Sequence, residues 1–457
     1  MLNIFKKRPT RDMTQGPIMQ HLVMYTLPLL FGSIFQILYS TVDAVVVGNF
    51  VSVQALAAVG ATAFITNILV FFFSGFSTGA SVVIGRAFGA KDEKRIQDAV
   101  STAITMTFIF CIAFTIIGVA FTNPVLKIFA TPDDVLDDAA TYLRIYFAGI
   151  SGLLLLNILG AILRAVGDSV HPLIYLAVTN ILNTILDLVF VLVFKWGIAG
   201  VALATIISQF ISAIAMLILL SRTNASYRIQ WNNLHINPEV CKDILSIGLP
   251  AGIQSIIGAV SNAIMQGYIN VFGSTIMAGW SCYNKLNSFV SIPMNSLAIA
   301  ATIMVSQNLG AKKIDRVRKG IRLSNWLTLG VTGAMCALIF ILAKPMVSLF
   351  NQTPDVVYYG SLFIYLNIFP LALYGVSHTL TGSLRGLGDS KNVMYMKLIF
   401  FVALRQIYLF FMTRFVANTP VVVALSVPFS WIIGAVAELI YFKVRWGKRL
   451  ANGEVDV

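Results

Sequence analysis

The chain has 457 residues, of which 58% are hydrophobic and only 11% are charged, and its mean hydropathy is +0.83. A soluble domain carries about a quarter charged residues, so this composition excludes an ordinary soluble protein. The net charge of +13 would suggest a nucleic-acid partner for a soluble chain, but the placement of the basic residues explains it differently. The four cysteines lack metal-ligand spacing, so we expect neither a structural metal nor a disulfide.

Long apolar runs, separated by Gly, Pro, Asn or charged residues, follow one another along the chain. Each run is long enough for a membrane-spanning helix, which needs about 20 residues. The runs are too long for barrel strands and lack their alternation, so they predict an all-α integral membrane protein with about twelve transmembrane helices. In chain order the predicted spans are residues 18–48, 54–84, 97–121, 138–163, 171–194, 198–220, 244–272, 277–305, 322–343, 358–384, 393–414 and 420–443.

Most basic residues fall in alternate connections between these spans. Lys6, Lys7 and Arg8 precede the first span, a dense cluster lies at 312–322, and Lys397 is assigned to the same side. Positive charge marks the cytoplasmic side of a membrane protein. The pattern therefore predicts a multi-pass protein of the cell membrane with both termini cytoplasmic, and it removes the need for a nucleic-acid partner.

Two short motifs recur 221 residues apart (310 − 89 and 384 − 163). The first is Gly-Ala-Lys at 89–91 and 310–312, and the second is an Arg-x-x-Gly-Asp turn within 163–169 and 384–390. The Arg and Asp of each turn can pair and hold two helix ends together. A repeat of about six spans enters the membrane from the same side in both copies, which predicts parallel repeats. The predicted parts are an N-terminal six-helix lobe at 1–220, a cytoplasmic linker at 221–243 and a C-terminal six-helix lobe at 244–457.

Apart from Asp98 and Asp138, which stand at the very start of their spans, only three acidic residues fall inside predicted spans, namely Asp43, Asp187 and Glu438. A charged carboxylate at mid-bilayer costs roughly 2.5–3.5 kcal/mol on insertion scales, so such residues often mark an ion path. Glu438 lies near the end of the last span, close to Lys443 and Arg445, and we interpret it as structural. Asp43 and Asp187 are deeper, and both belong to the first half.

Amide and hydroxyl side chains accompany the two deep aspartates. Asn183 precedes Asp187 by one helical turn, and Gln36 precedes Asp43 by seven residues, so each shares a face with its aspartate. Carboxylate, amide and hydroxyl oxygens suit a proton or a hard cation such as sodium, and two carboxylates can titrate as a coupled unit. The alternative is a satisfied network of interhelical hydrogen bonds. The candidate residues are Asp43, Asp187, Asn183, Thr205, Gln36, Asn180 and Asn157.

The second half does not repeat this set. At the same offset, Asn183 and Asp187 correspond to Leu404 and Tyr408, whereas the spacing to Gly60 and Gly279 places Asp43 opposite Asn262. The second half instead carries Lys285, His378 and Arg405, which we interpret as packing or lining residues. The scaffold is thus duplicated, whereas its acidic chemistry is not.

Pro28 interrupts the first span fifteen residues before Asp43. Proline removes one backbone hydrogen bond and bends a helix. A bend that responds to Asp43 would act as a gating kink, whereas a fixed kink is the equally open alternative.

The spans, the duplication, the Gly-Ala-Lys loops and the Arg-x-x-Gly-Asp turns together resemble the multidrug and toxic compound extrusion (MATE) transporters. The resemblance implies that Asp43, Asn183, Asp187 and Thr205 form a cation site in the N-terminal lobe, with possible sodium binding there. It also implies antiport, in which proton or sodium influx drives export of a cationic amphiphile. The branch of this family that couples through its second half has a Glu about eight residues after the proline of the seventh span. Here Pro250 is followed at that spacing by Gly258, so the resemblance argues against a second-half sodium site.

Two other functions remain open, namely a flippase for a lipid-linked precursor and an uncoupled channel or sensor. An enzyme is not expected, because the sequence shows no nucleophile–base pair, and the absence of a phosphate-binding loop argues against ATP as the driver. No cofactor is predicted beyond the coupling ion. Two lobes within one chain can enclose a complete cavity, so a monomer in the lipid bilayer suffices.

Overall fold

A computed structural model describes residues 11–129 and 131–454. The basic residues Lys6, Lys7 and Arg8 lie outside this part of the chain. Within it, eleven helices are long and apolar enough to cross a membrane, or up to twelve when one pair bent by 48° counts as a single span. The predicted all-α membrane fold of about twelve spans is therefore confirmed.

The first half of the chain supplies the bent pair and five longer spans. The bent pair corresponds to the predicted span at 138–163, and the break falls at Gly149. In chain order the helices are α1 (Ile18–Phe50), α2 (Val53–Ala90), α3 (Glu93–Ile128), α4 (Asp133–Ala148), α5 (Ile150–Ala165), α6 (Val170–Leu188), which a π-helical turn (Val189–Val193) extends, and α7 (Gly197–Arg222).

The second half repeats this order of spans. A 3-10 turn (Trp231–Asn233) precedes it. Its helices are α8 (Pro238–Asn270), α9 (Ser274–Gly310), α10 (Ile314–Ile341), α11 (Ala343–Phe350), α12 (Pro354–Gly386), α13 (Ser390–Met396) and α14 (Leu404–Phe415), which a π-helical segment (Lys397–Ala403) joins, then α15 (Pro420–Tyr441), a π-helical segment (Phe442–Gly447) and α16 (Lys448–Asn452).

The described chain divides into two compact units, and the chain passes from one unit to the other more than once. Unit 1 holds Leu27–Leu249 with Arg11 and Asp12, and unit 2 holds Met13–Thr26 and the residues from Pro250 onward. As a result α1 changes unit one residue before Pro28, and α8 changes unit at Pro250. Each of these two helices therefore passes between the units at a proline. The linker predicted at 221–243 stays a prediction.

The two copies share unusual backbone conformations at their turns. Lys91 and Lys312 both adopt the left-handed region, with φ of 58° and 56°, within two residues of the ends of α2 and α9. Gly167 and Gly388 do the same at the Arg-x-x-Gly-Asp turns, with φ of 85° and 83°. This region disfavours most side chains, which explains the glycine at those turns. The sequence repeat is thus a repeat of backbone geometry.

One interhelical hydrogen bond is also duplicated. In unit 1 the hydroxyl of Ser81 on α2 donates to the carbonyl of Ala161 on α5 at 3.0 Å. In unit 2, 221 residues later, the hydroxyl of Thr302 on α9 donates to the carbonyl of Gly382 on α12 at 2.9 Å. Both bonds are buried and join a side chain to main chain, so they hold two helices together without using any charge.

The predicted Arg–Asp pairing is not formed at the second turn. The carboxylate of Asp389 accepts hydrogen bonds from Tyr441 at 2.5 Å and from Trp446 at 2.7 Å. Arg385 instead donates to the side-chain carbonyl of Gln254 at 2.7 Å. The Asp389 side chain therefore ties the turn to the last helices of unit 2 and does not pair with Arg385.

Apolar side chains face outward along the spans. Ile112 and Ile116 on α3 are each 63% exposed, and Ile181 on α6 and Phe410 on α14 are each 62% exposed. In water such surfaces would favour association, whereas a hydrocarbon phase solvates them without cost. This exposure fits a chain embedded in a lipid bilayer.

Candidate ion-coupling site and a cavity in the second unit

Two carboxyl groups of unit 1 meet inside the membrane-spanning region. Asp43 lies on α1 and is half-buried, whereas Asp187 lies on α6 and is fully buried. Their carboxyl groups are within hydrogen-bonding reach of each other. Two ionised carboxylates at this separation repel, so the pair must share a proton or hold a cation.

Asn183 and Thr205 support Asp187. In the amide orientation that satisfies both ends of Asn183, its Nδ2 donates to Oδ2 of Asp187 at 2.8 Å. Its Oδ1 then accepts from the backbone N–H of Thr205 at 3.1 Å. The hydroxyl of Thr205 donates to the carbonyl of Val201 at 3.1 Å. Helices α6 and α7 therefore fix one side of the Asp187 carboxylate.

One oxygen of each aspartate remains available. Oδ1 of Asp43 and Oδ1 of Asp187 are buried, and neither has a hydrogen-bond partner among residues 11–129 and 131–454. A buried oxygen without a partner is unfavourable, which leaves a place for a proton or a small cation. The π-helical turn that follows Asp187 at Val189–Val193 is a feature often found at functional sites.

Two tyrosines that the sequence analysis did not select lie beside the pair. The phenol of Tyr39 lies close to the Thr205 side chain, and Tyr142 on α4 is close enough to interact electrostatically with both aspartates. Tyr39 precedes Asp43 by four residues, so its helical spacing contained a usable signal. Tyr142 comes from another helix, and only the packing of α4 reveals it.

Three sequence candidates are not hydrogen-bonded to the pair within the described residues. Gln36 is exposed on α1. Asn157 is partly buried, and its Nδ2 donates to the carbonyl of Leu153 in its own helix at 2.9 Å. Asn180 has a buried Nδ2 without a partner in the same part of the chain. The structure thus brings together Asp43, Asp187, Asn183 and Thr205 from the predicted set.

The third membrane carboxylate belongs to a buried ion pair in unit 2. Glu438 is fully buried and accepts a hydrogen bond at 3.1 Å from the ammonium of Lys397. The hydroxyls of Thr381, at 2.6 Å, and of Ser377 also donate to it. The structural interpretation of Glu438 agrees with these contacts, but the placement of Lys397 among the loop charges is wrong. Lys397 is 7% exposed and lies inside a span.

A cavity of about 460 Å³ opens between α8, α9, α12, α13–α14 and α15 within unit 2. Arg405 lines it and is 5% exposed. His378 contacts the ring of Tyr374 with centroids 6.0 Å apart. Lys285 is exposed, and its ammonium lies 5.1 Å from the ring of Phe350. Of the three basic residues that the sequence assigned to packing or lining, only Arg405 lines this cavity.

A duplicated fold of membrane-spanning helices with polar groups buried inside each copy is that of a membrane transporter. The MatE family model matches the chain twice, over residues 28–189 and 250–411, which together exceed half of its length. The chain therefore belongs to the MATE family, a family of transporters rather than enzymes. The two matches also repeat the duplication seen in the fold.

Curated relatives match over most of their length. The probable multidrug resistance protein YoeA of Bacillus subtilis is 28% identical over 83% of each chain. The probable multidrug resistance protein YpnP of the same organism is 26% identical over 95% of this chain and 97% of its own. The multidrug export protein MepA of Staphylococcus haemolyticus is 23% identical over 84% of each chain.

Solved structures share the fold at low sequence identity. An outward-facing MATE transporter of the MOP superfamily is 18% identical, with a TM-score of 0.89, and covers 98% of this chain and 99% of its own. A MATE protein in a bent conformation is also 18% identical, with a TM-score of 0.92, and covers 98% of this chain and 100% of its own. These likenesses establish the fold alone.

Proposed function

We propose that the chain is a secondary antiporter of the cell membrane that exports small organic compounds and is driven by proton influx through the Asp43–Asp187 pair. The relatives named as multidrug resistance or export proteins support the class of cargo. The observation that carries the coupling mechanism is the meeting of two membrane-embedded carboxyl groups from different helices, each with an oxygen left without a partner.

The surroundings of the pair favour a proton over sodium. A hard metal cation needs several oxygen ligands at once. Among the oxygens of the four residues, only Oδ1 of Asp43 and Oδ1 of Asp187 are buried without a hydrogen-bond partner in the described part of the chain, because the amide oxygen of Asn183 accepts from the Thr205 backbone N–H. A proton needs only the two carboxylates, which can share it in one state and release it in another. Sodium at the same four residues is the competing assignment.

The bend at Pro28 supplies a means of coupling. Helix α1 carries Asp43 and changes unit next to Pro28. Because proline removes a backbone hydrogen bond at that point, α1 is weakest there. Protonation of Asp43 can then alter how this helix bends, which links the ion to the conformational cycle.

The charge of the cargo is a question separate from the identity of the coupling ion. The sequence predicts a cationic amphiphile, but no carboxylate among the described residues lines the cavity of unit 2. A flippase for a lipid-linked precursor would favour several arginines in such a cavity, whereas Arg405 is its one arginine within the described chain. Cytoplasmic termini and a monomeric transporter stay predictions.

The test is transport in proteoliposomes under separate proton and sodium gradients. Two probes of opposite charge, ethidium and naphthalene-2-carboxylate, are followed together with proton movement reported by an internal pH dye. We expect the proton gradient alone to drive export. Asp43→Asn and Asp187→Asn should each lower driven export at least a hundredfold, because an amide cannot exchange a proton.

Gln36→Ala and Asn157→Ala are the matched controls, since neither side chain is bonded to the pair, and both should stay within twofold of the wild type. Driven export that survives both aspartate substitutions would contradict coupling through unit 1. Export driven by a sodium gradient alone would support antiport but contradict the proton as the coupling ion.

A further inference from the structure

The cavity of unit 2 has the dimensions of a binding site for a small organic molecule. Its volume of about 460 Å³ falls in the range of roughly 300–1,000 Å³ that is usual for such sites. Its lining residues all belong to five membrane-spanning segments of unit 2. Helix α14 contributes Arg405, α8 contributes Asn262, and α9 contributes Tyr283 and Asn287.

The cavity carries a positive charge that no described residue balances. Arg405 donates from Nε to the hydroxyl of Ser430 at 3.1 Å and from Nη1 to Oδ1 of Asn262 at 3.0 Å. Both partners are neutral, and Arg405 forms no ion pair with any residue of the described ranges. The other cation of the wall, Lys397, is already paired with Glu438. A buried charge without a counter-charge is unfavourable, so the site favours an anion.

Two more polar groups of the wall lack partners. The hydroxyl of Tyr283, a residue that is 2% exposed, and Oδ1 of Asn287 are buried and have no hydrogen-bond partner in the part of the chain that the structure describes. The Tyr283 hydroxyl can donate to an anionic oxygen. Buried polar atoms are normally satisfied, so the Tyr283 hydroxyl points to an anionic ligand as its missing partner, whereas Oδ1 of Asn287 only accepts and pairs with a donor group.

Aromatic rings form the remaining walls. Trp280, Tyr374 and Trp431 line the cavity, and the rings of Tyr374 and Trp431 are stacked with centroids 4.9 Å apart. Flat rings of this kind hold a planar ligand by offset stacking. An arginine beside them offers paired N–H donors in the geometry that a carboxylate accepts.

We infer that this cavity binds an aromatic carboxylate, with Arg405 holding the carboxylate and the aromatic walls holding the ring. The inference rests on the proposed function, because it names the class of compound that the transporter carries. It also replaces the cationic cargo expected from the sequence with an anionic one.

The test is equilibrium binding to the full-length protein in detergent, with no ion gradient, measured by calorimetry. Naphthalene-2-carboxylate and naphthalen-2-ylmethylammonium share the same ring and differ in charge. We expect saturable binding of the carboxylate at least tenfold tighter than that of the ammonium compound. Equal affinities, or no binding of the carboxylate, would overturn the inference.

Substitutions at the cavity assign the binding to Arg405. Arg405→Gln should weaken binding of the carboxylate at least tenfold, and Arg405→Lys should restore most of it by returning the charge. Asn262→Asp places a carboxylate beside Arg405, which should compete with the ligand. Because aspartate and asparagine have nearly the same size, the shape of the cavity and the fold should not change. If both Arg405→Gln and Asn262→Asp bind like the wild type, the site is not the one inferred.

Two controls separate this inference from the proposed function. Lys285→Gln removes a positive charge from unit 2 outside the cavity lining, so its affinity should not change. Asp187→Asn should bind the carboxylate normally although it fails to couple transport. If the wild type does not bind the carboxylate, the anion site is rejected and proton coupling through unit 1 is unaffected. If Asp187→Asn still shows driven transport, proton coupling is rejected and the anion site is unaffected.

Discussion

One pair of corresponding spans in the two units carries buried groups of opposite charge. In unit 1 the α6 span holds Asp187, which meets Asp43 of α1. In unit 2 the α13–α14 span holds Arg405, which donates to Asn262 of α8, the residue opposite Asp43. One copy thus joins two carboxyl groups, and the other joins a guanidinium to an amide at similar places in the same scaffold.

This difference shows which contacts a duplicated fold must keep. The hydrogen bonds Ser81–Ala161 and Thr302–Gly382 are retained at the same offset because they join helices through main-chain carbonyls. The charged groups need only a suitable partner nearby, which can change with one or two substitutions. We therefore expect the scaffold to determine stability in both units and the inner charges to divide their functions.

The comparison is tested most strongly at the two fully buried acids. Glu438→Gln leaves the ammonium of Lys397 buried without a counter-charge, and breaking such a pair costs about 3–5 kcal/mol. Asp187→Asn removes no salt bridge, because no basic partner of Asp187 occurs within the described residues, and should cost less than about 1 kcal/mol. Unfolding in mixed micelles measures both free energies.

The double substitution Lys397→Met with Glu438→Gln is the control for this pair. It removes the stranded charge and should recover most of the lost stability. Glu239→Gln, at an exposed acid on α8, should have no effect. Similar losses for Glu438→Gln and Asp187→Asn would show that the two units hold their acids for the same reason.

The next largest effect is expected at the residue that accepts the duplicated hydrogen bond. Unit 1 has Ala161 at the position where unit 2 has Gly382. A Cβ on Gly382 would lie 2.3 Å from the carbonyl oxygen of Ala298 and 3.0 Å from the Thr302 hydroxyl. Because that carbonyl is backbone, α9 and α12 would have to separate, so Gly382→Ala should destabilise the protein by about 1–3 kcal/mol.

Gly330→Ala on α10 is the matched control, because nothing lies within 4 Å of a Cβ built there. Replacing an interior helical glycine by alanine at an open site stabilises a helix by up to about 1 kcal/mol. Thermal unfolding midpoints of the two variants should therefore move in opposite directions. If Gly382→Ala is neutral, the helices of unit 2 are packed no more tightly than those of unit 1.

Much of the fold follows from the sequence because its signals are local. The length of the apolar runs gives the spans, and the offset of 221 residues gives the duplication. The site was partly accessible for the same reason, since Asn183 lies one turn before Asp187 on one helix. Tyr39 lies four residues before Asp43 on the same helix, so the same spacing argument could have predicted it as part of the site.

The remaining features depend on which helices are neighbours. Lys397 resembles an interfacial lysine in the sequence because it lies near the start of a span. Its partner Glu438 lies on α15, and the pairing arises only when α12, α15 and the π-helical segment at Lys397 pack together. The cavity around Arg405 is likewise lined by residues of five helices, so no single stretch of sequence predicts it.

The smallest expected effect concerns the two prolines at which α1 and α8 change unit. Pro28 cannot donate to the carbonyl of Met24, and Pro250 cannot donate to that of Ser246, so each helix is weak there. Pro28→Ala and Pro250→Ala restore these hydrogen bonds and should slow transport about three- to tenfold without changing ligand affinity. Pro124→Ala on α3, which lies wholly in unit 1, should stay within twofold.

The two prolines should nevertheless differ in their response to protons. Asp43 follows Pro28 on the same helix, whereas α8 carries no acid after Pro250. Stiffening α1 therefore changes the energy of the protonated pair, and Pro28→Ala should shift the external pH at which transport is half-maximal. Pro250→Ala should lower the rate at every pH and leave that midpoint in place. An equal shift of the half-maximal pH in both variants would mean that α8 also responds to protonation. The two units would then not have separate functions.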